Sequence, residues 1–369
     1  MSTEIRAYDA SDAPELHRLY GDAFGDAPRE RFFERWDWEF GRSPAIERFA
    51  NSVATRDGRV VAHLGLLPTR FAVRDQILPA AFLTDLLADA DRGGVLALRL
   101  VIKSLGELPL VLHFGGAPVT KQIYERLGMR SVAIGESLVR VERPDGVLAA
   151  AAYRFLARRR PRLRALARRW LFRVPGALLL PVFAARHRWW RRLRSGAYAI
   201  TRVDEFDERF DTLYAAMRRR LSASCVRDRA FLEWRYRHAP AGRYTALAAV
   251  GSDGQLAAAS VLSRVALGPG SYGKLMECLY RDDDALAAII NASVAEFRRM
   301  RVDLIVTVGL SLRARELLRE IGFRSAGSER PFRFKGKLSP EIEATLLDPG
   351  QWYISPGDGD EDFEDTIGA

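Results

Sequence analysis

The apolar and polar positions of this chain predict the same succession of elements in its two halves. Each half opens with a short strand (4–8 and 198–202) and a helix with acidic residues in its first turn. Two apolar runs joined by Asp57-Gly58 follow in the first half, and two joined by Asp253-Gly254 in the second, which predicts a β-hairpin in each. A strand, a helix, a buried strand, a short helix and a last strand complete each half. This order indicates a mixed α/β sheet.

A tryptophan motif recurs with identical spacing in the two halves. Trp38-Glu39-Phe40 corresponds to Trp234-Arg235-Tyr236, and the proline and the Asp-Gly pair that follow recur at the same offset of 196 residues. A period of this length is the size of a domain rather than of a solenoid repeat. The sequence therefore predicts one duplicated domain, with residues 1–145 as copy one and residues 197–338 as copy two.

Two further segments lie outside the copies. Residues 146–196 are predicted to form a basic helical insertion, since the interval from Asp145 to Asp204 holds 15 arginines and no other acidic residue. The net charge of +10 comes from this segment, because the rest of the chain is net acidic. Residues 339–369 are predicted to be a disordered tail, since acidic residues cluster there after Gly and Pro.

The composition indicates an intracellular globular protein. Two cysteines form neither a disulfide framework nor a metal-ligand spacing, so no metal is expected. The first residues lack the apolar run of a signal peptide, and no stretch of about 18 apolar residues could span a bilayer. The expected location is the cytoplasm, with peripheral attachment to the inner membrane face through the insertion.

The order of elements and two motifs resemble the GCN5-related N-acetyltransferase (GNAT) superfamily. One motif runs from Leu87 to Ala97 and contains Arg92-Gly93-Gly94-Val95-Leu96-Ala97; the other is Tyr124-Glu125-Arg126-Leu127-Gly128-Met129. The resemblance implies a fold of the α/β (α+β) class with two tandem GNAT-like mixed-sheet domains. It also implies an acyltransferase that uses acyl-CoA, with acetyl-CoA as the expected donor.

The glycine motif is the expected site of the acyl-CoA pyrophosphate. Glycines before a helix leave backbone N–H groups open to an anion at the positive helix end, and Arg92 adds a cation. A plain helix start with glycines for turn geometry is the alternative. Copy two has Arg281 followed by three aspartates here, which would repel a pyrophosphate. The residues expected to bind the cofactor are Leu87, Arg92, Gly93, Gly94, Val95, Leu96 and Ala97.

Three residues of copy one are candidates for catalysis. The resemblance implies that Tyr124 is the general acid that protonates the departing thiolate. Asp85 is a candidate general base, because it is a carboxylate in an otherwise apolar strand, and His113 at the end of the next strand is the competing base. Each could instead be a structural residue of the core or surface. Copy two has Leu318 in place of Tyr124, so no chemistry is expected there.

The remaining aromatic and basic residues suggest binding surfaces. Trp36 and Trp38 are predicted to contact substrate, although the repeat of this motif in both copies favours a packing role. Residues 153–195 mix arginine with tryptophan and large aliphatic residues, which indicates an anionic membrane surface; a packing linker is the alternative, and nucleic acid is less favoured.

The predicted acceptor is a small molecule or a lipid-linked or envelope-glycan precursor. A tRNA-dependent peptidyltransferase and a non-catalytic scaffold module are the alternative functions. Binding of CoA by copy one would distinguish an acyltransferase from the peptidyltransferase.

Overall fold

The computed structural model describes residues 2–24, 29–45, 49–116, 118–159, 193–240, 244–267 and 270–359. In copy one and the start of the insertion the elements are β1 (Thr3–Ala7), α1 (Ala13–Phe24), α2 (Arg29–Trp36), β2 (Ser52–Arg56), β3 (Arg59–Val73), β4 (Gln76–Ala88), α3 (Gly94–Glu107), β5 (Leu110–Phe114), α4 (Pro118–Arg126), β6 (Arg130–Val141) and α5 (Pro144–Arg159).

The second half follows the same order. Its elements are β7 (Ala199–Val203), α6 (Glu208–Arg218), β8 (Ala223–Cys225), α7 (Arg229–Leu232), β9 (Tyr244–Val250), β10 (Leu256–Leu267), β11 (Gly270–Tyr280), α8 (Asp283–Arg299), β12 (Leu304–Val308), α9 (Leu312–Glu320), β13 (Arg324–Gly336), α10 (Pro340–Leu347) and β14 (Trp352–Tyr353).

The strands form one continuous mixed sheet in which the second half mirrors the first. Its order is β1-β2-β3-β4-β5-β13-β6-β12-β11-β10-β9-β7, with β8 paired to β3 and β14 paired to β8. The predicted mixed α/β class is confirmed. The apolar strand faces are covered by helices, and the cores of both copies join at the middle of the sheet.

The last strand of each copy is exchanged into the other copy. β13 pairs antiparallel with β5, from Phe332 opposite Phe114 to Gly336 opposite Leu110. In return, β6 pairs antiparallel with β12. The sheet of each copy is therefore completed by a strand of the other. The predicted boundary between residues 1–145 and 197–338 does not separate two independent sheets.

The repeated tryptophans meet at the junction of the copies. Each lies in a π-helical turn, Asp37–Gly41 in copy one and Glu233–Arg237 in copy two. The rings of Trp38 and Trp234 stack with centroids 4.9 Å apart, and each indole N–H donates to the backbone carbonyl of the other, at 3.0 and 3.1 Å. Arg235 lies 5.2 Å from the Trp38 ring centroid. The predicted substrate contact is therefore wrong for Trp38, which is buried in packing between the copies.

Residues 339–359 form ordered structure, which corrects the expectation of disorder for this part of the tail; residues 360–369 lie outside the described residues. The Trp352 ring packs against Phe71 and Phe332, with centroids 5.4 and 4.7 Å apart. Asp358 is 2% exposed because it forms an ion pair with the buried Arg227 at 2.5 Å. Asp358, one of the acidic residues that suggested a solvated tail, is thus buried and paired with a cation.

Most of the basic insertion lies outside the described residues. The predicted helix is present as far as α5 extends, to Arg159, and residues 160–192 are not described. Within the described ranges, no helix combines the length and the apolar character needed to cross a membrane.

Candidate active site

Strands β4 and β5 run parallel and then separate. They pair at Ala81 with Val111 and at Phe82 with Leu112, whereas β4 continues to Ala88 and β5 to Phe114. The opening lies at the carboxyl ends of the two strands, which is where open α/β sheets bind ligands. Strands β11 and β12 separate in the same way beyond Lys274 and Val306. The sheet therefore has two equivalent openings, one in each copy.

The start of α3 beside the first opening fits an anionic group. Gly93 is required by packing, because an added Cβ would lie 2.2 Å from the Val61 carbonyl oxygen. A Cβ on Gly94 would meet nothing within 4 Å among the described atoms, and no side chain of the described residues caps the helix. The backbone N–H groups of the first turn are therefore accessible, as a phosphate site at a helix N-terminus requires.

The predicted cofactor residues divide into accessible and buried ones. Arg92 and Gly94 are exposed, and Val95 is 69% exposed. The side chains of Leu87, Leu96 and Ala97 are buried in the core of copy one. These three side chains position the helix and the strand end rather than face a ligand.

The corresponding helix of copy two, α8, has an occupied start. The Asp282 carboxylate accepts a hydrogen bond from the Ala285 backbone N–H at 2.8 Å, and Asp283 and Asp284 lie in the first turn. An anion would meet three carboxylates there. The two helix starts thus differ in charge and in capping.

Asp85 lies at an irregularity of β4 beside the opening. The β3–β4 register shifts between His63 and Gly65, and Asp85 has a φ of 46°. The Tyr20 hydroxyl donates to the Asp85 carboxylate, and the Asp85 carbonyl oxygen lies 3.1 Å from His63 Nδ1. Burial lowers the pKa of His63 to about 4, so the imidazole is neutral at pH 7. Asp85 is half-buried and its carboxylate is held in place by Tyr20.

Tyr124 and His113, two of the candidate catalytic residues, are in contact with each other. Their ring centroids are 4.5 Å apart in an edge-to-face arrangement, and both residues are buried. Burial, together with the nearby Arg333 and Lys121, lowers the pKa of His113 to about 3. A histidine with this pKa is a weak proton acceptor at pH 7. Asp85 is therefore the better candidate for the base.

Arg333 and Tyr20 extend the predicted site. Arg333 lies on the exchanged strand β13 directly opposite His113. Sequence spacing could not place it there, because it belongs to the other copy. Tyr20 did carry a signal, since Leu19-Tyr20 recurs as Leu213-Tyr214 in the second half.

Trp36, the other tryptophan predicted to contact substrate, packs on the cluster that contains Tyr20, and Tyr20 bonds Asp85. Its ring lies 4.4 Å from that of Tyr8 and 5.2 Å from that of Phe40, measured between centroids. Its indole N–H is buried and has no hydrogen-bond partner among the described residues. A substrate contact by Trp36 stays a prediction.

The second opening is occupied by the C-terminal segment of the chain. The Tyr353 hydroxyl donates to Glu277 Oε2 at 2.6 Å and accepts from the Cys278 backbone N–H at 2.8 Å. The Leu310 N–H, which follows β12, donates to the Ile354 carbonyl at 2.6 Å. Glu277, the counterpart of Asp85, is thus enclosed by the protein itself. In the part of the chain that the structure describes, the Glu277 side chain has almost no exposed surface.

No group of side chains with metal-ligand character occurs among the described residues. The site consists of an open strand pair, an uncapped glycine helix start, a buried tyrosine and a fixed carboxylate. The uncapped helix start fits a phosphate-bearing ligand.

Comparison with known proteins gives one family match and a set of similar folds. Residues 4–131, about a third of the chain, match the family model described as an acetyltransferase (GNAT) domain. No curated protein matches the sequence.

Solved structures share the fold over most of the chain. A GCN5-related N-acetyltransferase from Anabaena variabilis has a TM-score of 0.59 at 13% identity, over 91% of this chain and 73% of its own. One from Kribbella flavida has a TM-score of 0.56 at 12% identity, over 90% and 70%. Saccharomyces cerevisiae N-myristoyltransferase with bound myristoyl-CoA has a TM-score of 0.56 at 11% identity, over 96% and 84%. These neighbours share the fold of this chain, and two of them are GCN5-related N-acetyltransferases.

Proposed function

We propose that copy one transfers an acyl group from acyl-CoA to an amine or hydroxyl of an acceptor. The expected acyl group is acetyl. The observation that carries this proposal is the difference between the two helix starts. The start of α3 is uncapped and open at Gly94, whereas α8 begins with three aspartates. Only the first can accept the pyrophosphate of CoA.

The residues of copy one have separate roles in this reaction. The first-turn N–H groups of α3 and Arg92 hold the pyrophosphate. Asp85, fixed by the Tyr20 hydroxyl, accepts the proton that the acceptor loses. Burial raises the pKa of Tyr124, so its hydroxyl stays protonated and can give its proton to the departing sulfur. The bound donor supplies the activated thioester.

A titration of CoA tests the proposal by calorimetry. Gly94→Asp should weaken CoA binding at least about 10-fold, because it adds a carboxylate where the pyrophosphate lies. Gly94→Ala is the matched control: its methyl group has space, so affinity should stay within about threefold. The stoichiometry should be one CoA per chain. Failure of the wild-type protein to bind CoA would reject the acyltransferase and favour the peptidyltransferase or scaffold alternative.

We also propose that the acceptor is lipid-linked or an envelope-glycan precursor that is met at an anionic membrane surface. The support is the composition of residues 146–203, with 15 arginines and no acidic residue around a tryptophan-flanked apolar run. Co-sedimentation of the full chain with phosphatidylglycerol vesicles should show binding at low salt that weakens but persists at high salt. If the protein binds duplex DNA but does not bind the vesicles, nucleic acid is the favoured partner.

A further inference from the structure

Arg333 is a buried cation that copy two contributes to the site of copy one. It is 2% exposed on β13, and its backbone pairs with that of His113 on β5. Its Nη2 donates to Glu125 Oε1 on α4 at 2.8 Å. Its Nε and Nη1 are buried and have no hydrogen-bond partner among the described residues. Glu125 is 56% exposed, so water screens the carboxylate that pairs with the guanidinium.

A buried guanidinium with two nitrogens unpartnered within the described structure is costly in free energy. A buried polar group without a partner costs about 1–3 kcal/mol, and a buried charge costs more. Such groups are rare in native proteins and often mark a functional site. The Nδ1 atom of His113 is also buried without a partner among the described residues. Arg333 lies opposite His113, whose ring contacts Tyr124, and its Nη2 bonds Glu125, the residue after Tyr124.

We propose that Arg333 is a positioning residue of the acyl-transfer site, where it holds a positive potential beside Tyr124 and His113. This inference rests on the proposed function. During transfer, the acceptor forms its bond to the acyl carbon and gives its proton to Asp85. The C–S bond breaks, its electron pair stays on sulfur, and the Tyr124 hydroxyl gives sulfur a proton. Arg333 stabilises the negative charge that passes from the sulfur to the Tyr124 oxygen.

The electrostatics of the cluster support this role. Burial raises the pKa of Tyr124, and Arg333 acts in the opposite direction. Burial lowers the pKa of His113 to about 3, and Arg333 and Lys121 contribute to the same lowering. Among the described residues, the charges that act on His113 are Arg333 on β13 and Lys121 on α4, and Glu125 on α4 pairs with Arg333. A neutral His113 leaves the positive potential of Arg333 directed at Tyr124.

Kinetics of three variants of the full chain test the proposal. Arg333→Met should lower kcat about 10- to 100-fold with KM for acyl-CoA within about threefold, as expected when stabilisation of transition-state charge is lost. Arg333→Lys should recover most of kcat, because it keeps the charge. Glu125→Gln is the matched control: it removes the same ion pair but keeps the cation, so kcat should stay within about twofold.

Two further measurements separate this role from a structural one. With a thioester of an acidic thiol such as thiophenol, the deficit of Arg333→Met should shrink, because less charge on sulfur needs stabilisation. In the ligand-free protein, the NMR titration of His113 should move to higher pH by about half a unit or more in Arg333→Met. An unchanged titration, or equal deficits in Arg333→Lys and Arg333→Met, would overturn the proposal. Absence of wild-type turnover would instead reject the proposed function. The titration would still test whether Arg333 acts on His113.

Discussion

The carboxylates Asp85 and Glu277 occupy comparable places in the two copies, and their replacement should have opposite consequences. Glu277 is fully buried and accepts four hydrogen bonds: from Arg227 Nε at 2.9 Å and from the hydroxyls of Tyr236, Tyr353 and Ser355 at 2.7, 2.6 and 2.8 Å. Both of its oxygens act as acceptors. In Glu277→Gln, an amide NH₂ would face at least one donor, and the negative charge opposite Arg227 would be lost.

The size of the effect follows from these contacts. Removal of one partner of a buried ion pair costs about 3–5 kcal/mol, and Asp358 remains to offset part of the Arg227 charge. The entropy of unfolding is about 2.1 cal/mol/K per residue, or roughly 0.8 kcal/mol/K for this chain. Glu277→Gln should therefore lower Tm by about 4–6 °C. Its turnover below the melting transition should stay close to that of the wild type.

Asp85→Asn should show the reverse result. Asp85 is half-buried and keeps Tyr20 as a partner after the change, so the loss of stability should be about 1 kcal/mol, or roughly 1 °C in Tm. Its turnover should fall about 10²- to 10⁴-fold if it is the general base. Scanning calorimetry and steady-state assays on both variants make the comparison. A stable Glu277→Gln protein without activity would refute the assignment of chemistry to copy one.

Further predictions concern Tyr124, the tryptophan pair and pH. Tyr124→Phe should lower kcat about 10²- to 10⁴-fold in a steady-state assay and leave CoA affinity within about twofold by calorimetry; an equal loss of both would mark a structural tyrosine. Trp38→Ala should cost about 3–5 kcal/mol in urea unfolding, because it removes a buried ring at the junction of the copies, and a loss below about 1 kcal/mol would contradict that role. His63 and His113, with pKa values lowered to about 4 and 3, are neutral when folded but protonate near pH 6.5 when unfolded. Stability should therefore be full above pH 6.5 and fall as pH drops towards 4, and His63→Gln should reduce this slope.

Local patterns in the sequence predicted much of the fold and part of the site. Turn residues such as Asp57-Gly58 and the alternation of apolar runs indicate the elements themselves, because they act over a few residues. The contrast between Gly94 and Asp283 at the two helix starts was also visible. It depends on residue type at a local position, which a sequence displays directly.

Contacts between distant parts of the chain could not be predicted in this way. β13 enters the sheet beside β5 rather than beside its own copy, and no local pattern encodes that choice. Arg333 was therefore missed as a neighbour of His113. The acidic residue Asp358 looked solvated because its partner Arg227 lies 131 positions earlier, and only the fold brings the two together. Burial of a charge is a tertiary property.

Strand exchange also has a consequence for biosynthesis. Phe114 at the end of β5 leaves the ribosome more than 200 residues before its partner Phe332. At about 5–20 residues per second, that edge of β5 stays unpaired for roughly 10–40 s. An exposed strand edge is prone to pair with other chains. We expect the nascent chain to depend on chaperones in this interval, and expression of residues 1–145 alone to yield aggregates rather than a smaller enzyme.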